Sequence, residues 1–589
     1  MRICNARTKC YLLLIFTMLL FTLSACSKNS QTDLDDIDII YTNDVHSFFD
    51  NEETDDEGNV NKGLTYASVK SYKNALEDKG AHVALVDAGD HSQGYVYGSI
   101  SKGKDVIKLM NAAGYDLATV GNHEFDYGMD EFFERTNMAD FPYISCNFYD
   151  VTTGETVFKP YKIMSLGNVK IGFIGISTPE TLKKADATYF MDENKNYIYQ
   201  FYSGEDGKEL YDCVQCNIDE IRDKVDYVVA VGHMGVDEAS KPYRSKDVIA
   251  NTTGIDIFID GHSHSTIECE NVQDKAGNEV VLTQTGSHFD AFGHITISKG
   301  KISAKLITSY DKYDDELSKM TDDIVEKIEN ELGKKLASCE FNLISNDETT
   351  GDRIIRYSET NLGDMVADGV YYYFNEIYGQ PCDAVIYNSG GIRTNVKAGD
   401  ITGVTCKEVN PFGNKGCLVQ MKGQQLLEAL EYGASKLGVI DEETGKCSTF
   451  GGFLQVAGLS YEIDTKVNSS VKNDENGQYV IGSITNYRVK NVKIYNKEKH
   501  IYEPLDVERI YNVAGLDYIL IKNNDGFSML KDDVVLETCE IEESTIFSEY
   551  LISFANHKIA TNNSPLSKYD GYLINYENIT GAGRIKIIE

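Results

Sequence analysis

The chain is poor in positive charge: 56 lysines and arginines stand against 92 aspartates and glutamates in 589 residues, a net charge of -36. That deficit excludes nucleic-acid polymers and anionic membranes as partners of a basic surface. A site for a phosphorylated ligand must then be built locally, by cations and a few arginines. Long apolar runs are also scarce. Only Tyr11 to Leu23 is sustained, and it is too short to span a bilayer comfortably. There is no internal repeat and no low-complexity stretch. The 13 cysteines follow no zinc-ligand spacing. Cys213 and Cys216 stand alone as a Cys-x-x-Cys, and small core residues, or one or two incidental disulfides, are the simpler reading.

The N-terminus reads as a targeting segment. Arg2, Arg7 and Lys9 precede the apolar run, which ends in Leu23-Ser24-Ala25-Cys26. That ending resembles a bacterial lipobox, in which the cysteine is lipidated and becomes the mature N-terminus. A plain signal peptide is the alternative. Ser27 to Asp36 is polar and acidic, a short tether. A chain of this length exceeds one core. The expected division is a signal over 1–26, a tether over 27–36, a first domain over 37–312, a connector helix over 313–340 and a second domain over 341–589.

In the first domain β-like runs alternate with helical patterns. The clearest strands are Ile37 to Thr42, His82 to Val86, Leu117 to Val120, Tyr143 to Ser145, Val169 to Ile176, Tyr227 to Val231, Ile255 to Ile259 and Val280 to Gln284. Several are apolar on both faces, as buried strands of an α/β sheet are. Between Asp314 and Ser338, Leu317, Met320, Ile324, Ile328, Leu332 and Leu336 recur at helical spacing among charges, which predicts an amphipathic helix. Beyond it, Glu359 to Tyr373 and Gln424 to Leu437 read as helices, and Ala384 to Tyr387 and Tyr511 to Leu516 as strands.

Five short stretches follow these strands: Thr42-Asn-Asp-Val-His46, Asp87-Ala-Gly-Asp-His91, Gly121-Asn-His-Glu124, Gly232-His-Met-Gly235 and Asp260-Gly-His-Ser-His264. Asp44 and His46 lie two apart at one strand end and can face one point. Asp90, in a glycine turn, suits a bridge between two cations. Asn122 adds a neutral oxygen, and His233, His262 and His264 add imidazoles. With Asp90 counted twice, seven residues make two four-ligand shells. Two cations about 3.5–4 Å apart would activate a shared water and clamp a phosphate. His123 follows Asn122 directly and suits phosphate charge or the leaving oxygen, with Asp126 fixing its tautomer. His82, His91, His288 and His294 are read as structural or supporting.

These motifs, with Asp87-Ala-Gly-Asp-His-Ser-Gln-Gly94 and Gly121-Asn-His-Glu-Phe-Asp-Tyr-Gly128, resemble the 5′-nucleotidase family of two-domain calcineurin-like metallophosphoesterases, which includes bacterial UDP-sugar hydrolases and surface ecto-nucleotidases. The likeness spans the length after the signal. It implies an α/β fold: an N-terminal calcineurin-like β-sandwich flanked by helices, the connector helix, and a C-terminal α+β nucleotide-binding domain. It assigns Asp44, His46, Asp90 and His264 to one metal, Asp90, Asn122, His233 and His262 to the other, and His123 with Asp126 to a catalytic dyad.

In the second domain, Glu359-Thr-Asn-Leu-Gly-Asp364, Asn388-Ser-Gly-Gly-Ile-Arg393, Asn410-Pro-Phe-Gly-Asn414 and Gly451-Gly-Phe-Leu-Gln455 look like the family's nucleotide-specificity domain. Guanidinium forks suit phosphate, and paired aromatics suit a base. By the likeness Arg356 and Arg393, with Arg353, hold a phosphate, Asn388 assists, Phe412 and Tyr518 stack the base, and Asp525 meets ribose hydroxyls. Asn523-Asn524-Asp525-Gly526 departs from the family's usual Gly-Gly-Asp-Gly. The implied protein is an extracytoplasmic lipoprotein, anchored at Cys26, that uses two divalent ions (Mn, Zn, Co or Mg) to hydrolyse nucleoside 5′-monophosphates, with UDP-sugars and nucleoside diphosphates as further substrates. The alternatives are a 2′,3′-cyclic-nucleotide phosphodiesterase with 3′-nucleotidase activity, disfavoured by Asp126, and a non-catalytic nucleotide-binding lipoprotein, disfavoured by the complete ligand set.

Overall fold

The computed structural model describes residues 34–54, 60–185, 187–192, 194, 196–439, 448–474, 477–531 and 533–588. The expected signal, Cys26 and most of the expected tether lie outside the described residues.

The first domain is a sandwich of two six-stranded sheets. One sheet contains β1 (Ile37–Thr42), β2 (His82–Asp87), β3 (Leu117–Thr119), β4 (Tyr143–Ile144), β11 (Phe292–Ser298) and β12 (Lys301–Ile307), in the order β12-β11-β1-β2-β3-β4. The other contains β5 (Tyr161–Leu166), β6 (Val169–Ser177), β7 (Tyr227–His233), β8 (Ile257–Ile259), β9 (Thr266–Gln273) and β10 (Glu279–Thr285), in the order β9-β10-β8-β7-β6-β5. The central strands β1 to β4, and β6, β7, β8 and β10, run parallel, so their C-terminal ends gather on one side. Both faces of these strands are covered, which explains their unbroken apolar runs. Ile39, Tyr41 and Val86 meet Ile171, Phe173 and Val231 between the sheets. Helices cover the outer faces, among them α1 (Lys208–Ile221), which packs Leu210, Val214 and Ile218 onto the second sheet.

All eight strands read from the sequence in the first domain are present, with ends shifted by two residues or fewer. The amphipathic segment differs. Helix α2 spans Asp315–Leu332, capped by Asp314, whose side chain accepts from the Leu317 amide. Leu317 and Ile328 are buried in the first domain's core. The helix stops at Gly333, and Lys335–Cys339 forms a strand that pairs with Gly399–Thr402. Leu336 therefore continues the spacing but not the helix. Tertiary pairing overrides the pattern there, and the helix is shorter than expected.

The second domain is built on a five-stranded sheet with β13 (Ala384–Asn388), β14 (Lys415–Lys422), β15 (Leu454–Ala457), β16 (Ile510–Leu516) and β17 (Val534–Glu542), in the order β15-β13-β16-β14-β17. Helix α3 (Asn361–Tyr372) is almost wholly buried against it. The fold class expected from the sequence is observed. Among the described residues, no helix is long and apolar enough to cross a membrane.

Candidate dinuclear metal centre

The loops after β1 and β2 are laced together beyond the last strand pair. The amides of Asp44, His46 and Ser47 donate to the carbonyls of Gly89, Asp90 and His91 at 2.9, 2.9 and 3.0 Å. This lacing holds Asp44, His46 and Asp90 at φ of 49°, 51° and 57°, and His262 and His264 adopt 81° and 53°. Non-glycine residues rarely occupy this region, and they concentrate where surrounding structure imposes it for function. Two glycines are required by close approach. A Cβ on Gly121 would lie 2.2 Å from Asp90 Oδ1, and one on Gly261 2.8 Å from His233 Nδ1.

The ligand candidates fall into two groups, Asp44–His46–His264 and Asp90–His233–His262. His233 Nε2 lies 2.9 Å from Asp90 Oδ2 and 3.9 Å from Asp44 Oδ1, and His46 Nε2 is 3.9 Å from both carboxylates, so the groups adjoin. The His46 and His233 Nδ1 atoms donate to the carbonyls of Gln93 and Ala88, each at 2.8 Å, so Nε2 is the ring atom that each histidine turns inward.

Three observations fit a pair of cations. Asn122 Oδ1 is buried with no hydrogen-bond partner. His46 and His264 face each other through Nε2 atoms 2.9 Å apart. Burial depresses the pKa of both rings, that of His264 to about 4, so neutral imidazoles meet there. A neutral amide oxygen, neutral imidazoles and two buried carboxylates are the donor set of a hard to borderline divalent ion.

His123 stands beside this cluster. Its Nδ1 is 2.6 Å from Asp126 Oδ2, its amide donates to Asp90 Oδ1 at 2.8 Å, and its ring centroid lies 5.2 Å from that of His46. Burial alone would lower its pKa. The Asp126 and Asp90 carboxylates override this and lift it to about 9, so the ring is a cation near neutral pH.

The sequence-predicted substrate residues converge on the same place. A 230 Å³ cavity is lined by His123 and Asp126 from the first domain and by Arg356, Asn388, Arg393, Phe412, Tyr518 and Asp525 from the second. The Arg393 guanidinium lies 5.4 Å from the Phe412 ring centre, and the Tyr518 hydroxyl donates to Asp525 at 3.2 Å. Asn523, where the family has glycine, adopts φ 57°. Asparagine tolerates this conformation, so the turn survives the change. Arg353 sits apart from the first cavity. It lines a second cavity of 950 Å³ with His46, His123, His264, His288 and Arg393. Its guanidinium donates to the Ile392 carbonyl, and burial followed by the charges of Arg393 and Arg356 lowers its pKa to about 8.

Sequence reasoning gave no role to two residues that the structure places here, Glu124 and Glu180, and read a third, His288, only as structural or supporting. Glu124 accepts from the amides of Asp90, Gly121, His91 and Ser92 at 2.8, 2.8, 3.0 and 3.2 Å. It thereby joins the turn carrying Asp90 to the turn carrying Asn122. Glu180 Oε2 lies 2.9 Å from His262 Nε2 and 2.8 Å from the Ser240 hydroxyl, fixing that imidazole. His288 stacks edge-on to His46 at 5.6 Å. Glu124 stood inside a recognised motif. Glu180, far from any ligand in the chain, left no signal.

Two clusters of oxygen and imidazole donors at the strand ends of a helix-flanked β-sandwich, facing a cationic cavity, define a metal-dependent phosphohydrolase. Comparison with known proteins agrees. Residues 37–266 match the calcineurin-like phosphoesterase family and residues 344–532 the 5′-nucleotidase C-terminal domain. Among curated relatives, the 5′-nucleotidase of Bos taurus is 25% identical over 564 residues, covering 88% of each chain. That of Vibrio parahaemolyticus is 26% identical over 480 residues, covering 72% of this chain and 78% of its own. The crystal structure of a 5′-nucleotidase precursor from Thermus thermophilus superposes with a TM-score of 0.68 at 22% identity, over 94% of this chain and 100% of that one. The chain belongs to the two-domain calcineurin-like metallophosphoesterases that carry a 5′-nucleotidase C-terminal domain.

Proposed function

We propose that the protein hydrolyses nucleoside 5′-monophosphates to nucleoside and phosphate outside the cytoplasm. The observation that carries this is the single cavity that joins His123 and Asp126 to Arg356, Arg393, Phe412, Tyr518 and Asp525. Asp44, His46, Asp90 and His264 would hold one divalent ion, and Asp90, Asn122, His233 and His262 the other. When bound, the pair supplies Lewis-acid charge at the scissile phosphoester. Arg356 and Arg393 hold the phosphate by charge-assisted hydrogen bonds. His123, protonated and held by Asp126, presents its Nε2 proton to the phosphate or to the departing 5′ oxygen. Phe412 and Tyr518 offer aromatic faces to the base, and Asp525 accepts from ribose hydroxyls.

The second cavity supports a wider substrate range. Arg353 and Arg393 face it beside His123, Phe412 and Tyr518 do not line it, and 950 Å³ accommodates a sugar phosphate or second phosphoryl group. Nucleoside diphosphates and nucleotide sugars are therefore proposed as further substrates. The Leu23-Ser-Ala-Cys26 motif supports a lipid anchor and an extracytoplasmic location.

The test is phosphate release from AMP, UDP-glucose and 2′,3′-cyclic AMP, with metal-stripped protein resupplied with Mn²⁺ or Zn²⁺. Metal-dependent turnover of AMP supports the reading, and cleavage of UDP-glucose supports the wider range. Preference for the cyclic substrate replaces it with the phosphodiesterase reading. Inactivity on all three with every metal replaces it with nucleotide binding alone.

A further inference from the structure

We propose that Cys146 and Cys213 form a redox-active thiol pair that closes to a disulfide, at a site apart from the metal centre. Nine of the cysteines lie in the described residues, and all nine are free. Cys339, Cys382, Cys406 and Cys539 are core residues of the second domain. Cys146, Cys213 and Cys216 differ, because all three line one open surface hollow of 600 Å³ beside the stacked rings of Tyr149 and Tyr202. Cys146 is buried at its floor, Cys213 is half-buried and Cys216 is exposed.

The geometry selects the partner. The Cys213 thiol donates to the Cys146 carbonyl oxygen at 3.1 Å, which brings the two side chains together in the one hollow. Cys213 and Cys216 are instead neighbours within α1, between its Lys208 and Ile221 ends. Their Cα–Cβ bonds tilt the same way along the helix, so joining them distorts the turn. The Cys-x-x-Cys in the sequence thus points to the wrong pair, and the right one spans 67 positions.

Reactivity is divided between the two thiols. The hydrogen bond from Cys146 lowers the Cys213 pKa, while that bond and burial raise the Cys146 pKa. Cys213 is also the more accessible of the two, half-buried where Cys146 is buried, and is therefore the attacking sulfur. A small-molecule disulfide, RSSR, enters the hollow. The Cys213 thiolate attacks one of its sulfurs, forms a mixed disulfide and expels RS⁻, which takes up the proton that Cys213 released. The Cys146 thiol then loses its proton, attacks the Cys213 sulfur and releases the second sulfur as RSH. Two protein thiols and RSSR become one protein disulfide and two RSH.

The bond would staple α1 to the turn after β4. Asn147, next to Cys146, accepts from the Ser177 amide at 2.9 Å and donates to its carbonyl at 2.7 Å, and three residues further on Glu180 holds His262. Closing a loop this long restricts the unfolded chain, so the oxidised protein should melt higher by roughly 5 °C.

The test uses the full chain, metal-loaded, treated with glutathione disulfide, alkylated and mapped by peptide mass spectrometry. The expected result is a peptide cross-linked through Cys146 and Cys213 in the wild type and in Cys216→Ser, its absence in Cys213→Ser, and a higher melting temperature for the oxidised wild type. A Cys213–Cys216 link, or full alkylation of all three after treatment, overturns the proposal. Should Cys213→Ser fail to fold, the wild-type map alone decides.

Discussion

Replacing Glu124 by glutamine tests how the metal centre is assembled. Its carboxylate takes four main-chain amides, two on each oxygen: Asp90 and Gly121 on Oε2, His91 and Ser92 on Oε1, with the Ser92 hydroxyl at 3.1 Å. The group is buried, and the neighbouring His91 holds its pKa below the ordinary value against the cost of burial. Glutamine keeps the shape and one acceptor oxygen but turns an NH₂ group toward two amides. Two buried donors then lack an acceptor, at about 1–3 kcal/mol each, so the loss is about 2–6 kcal/mol. Urea denaturation of the metal-free protein measures it. Titration with Mn²⁺ should show weaker binding as well, because the turns bearing Asp90 and Asn122 are no longer tied together. A Glu124→Gln protein within about 0.5 kcal/mol of wild type, with unchanged Mn²⁺ affinity, refutes the reasoning.

Other perturbations separate the remaining roles. Glu180→Gln should weaken binding of one of the two ions by about 10- to 100-fold in a calorimetric titration, since His262 loses its orienting carboxylate. His123→Asn should lower kcat on AMP by about 10²- to 10⁴-fold while leaving two metals per chain by elemental analysis. Phe412→Ala should raise KM for AMP by about 5- to 150-fold, the worth of one stacking contact, and leave hydrolysis of p-nitrophenyl phosphate unchanged. Burial lifts the Glu543 pKa from 4.5 to about 7, so its ionisation opposes folding progressively between those values and fully above them. Glu543→Gln removes that pH-dependent penalty, so its stability relative to wild type, read from the melting temperature, should rise by at most roughly 3 kcal/mol from pH 4.5 to above pH 7, on top of a pH-independent cost for the Tyr387 and Asn414 donors that face the carboxylate.

Much of the first domain was legible because local rules and tertiary structure agree there. Strands buried on both faces appear as short apolar runs, and ligands at their C-terminal ends appear as Asp, Asn and His among glycines. Two glycines, Gly121 and Gly261, mark where the backbone must approach a ligand side chain. The sequence failed where partners are distant. Leu336 kept the helical spacing, but pairing of its segment with Gly399–Thr402 decided the outcome. Arg353 lies three residues before Arg356, yet the short helical turn at Ile354–Arg356 sends the two toward different cavities. Glu180 acts only through a contact 82 positions away. The Cys-x-x-Cys was visible, but the neighbour of Cys213 was not, since Cys146 arrives from the turn after β4, 67 positions away.

The most direct test of the account is a stoichiometric Mn²⁺ titration of metal-stripped protein with AMP hydrolysis followed at each step. The account predicts two ions bound per chain, activity that appears only as the second site fills, and loss of both ions' tight binding in Asp90→Asn. Full activity with one ion, or with none, contradicts it.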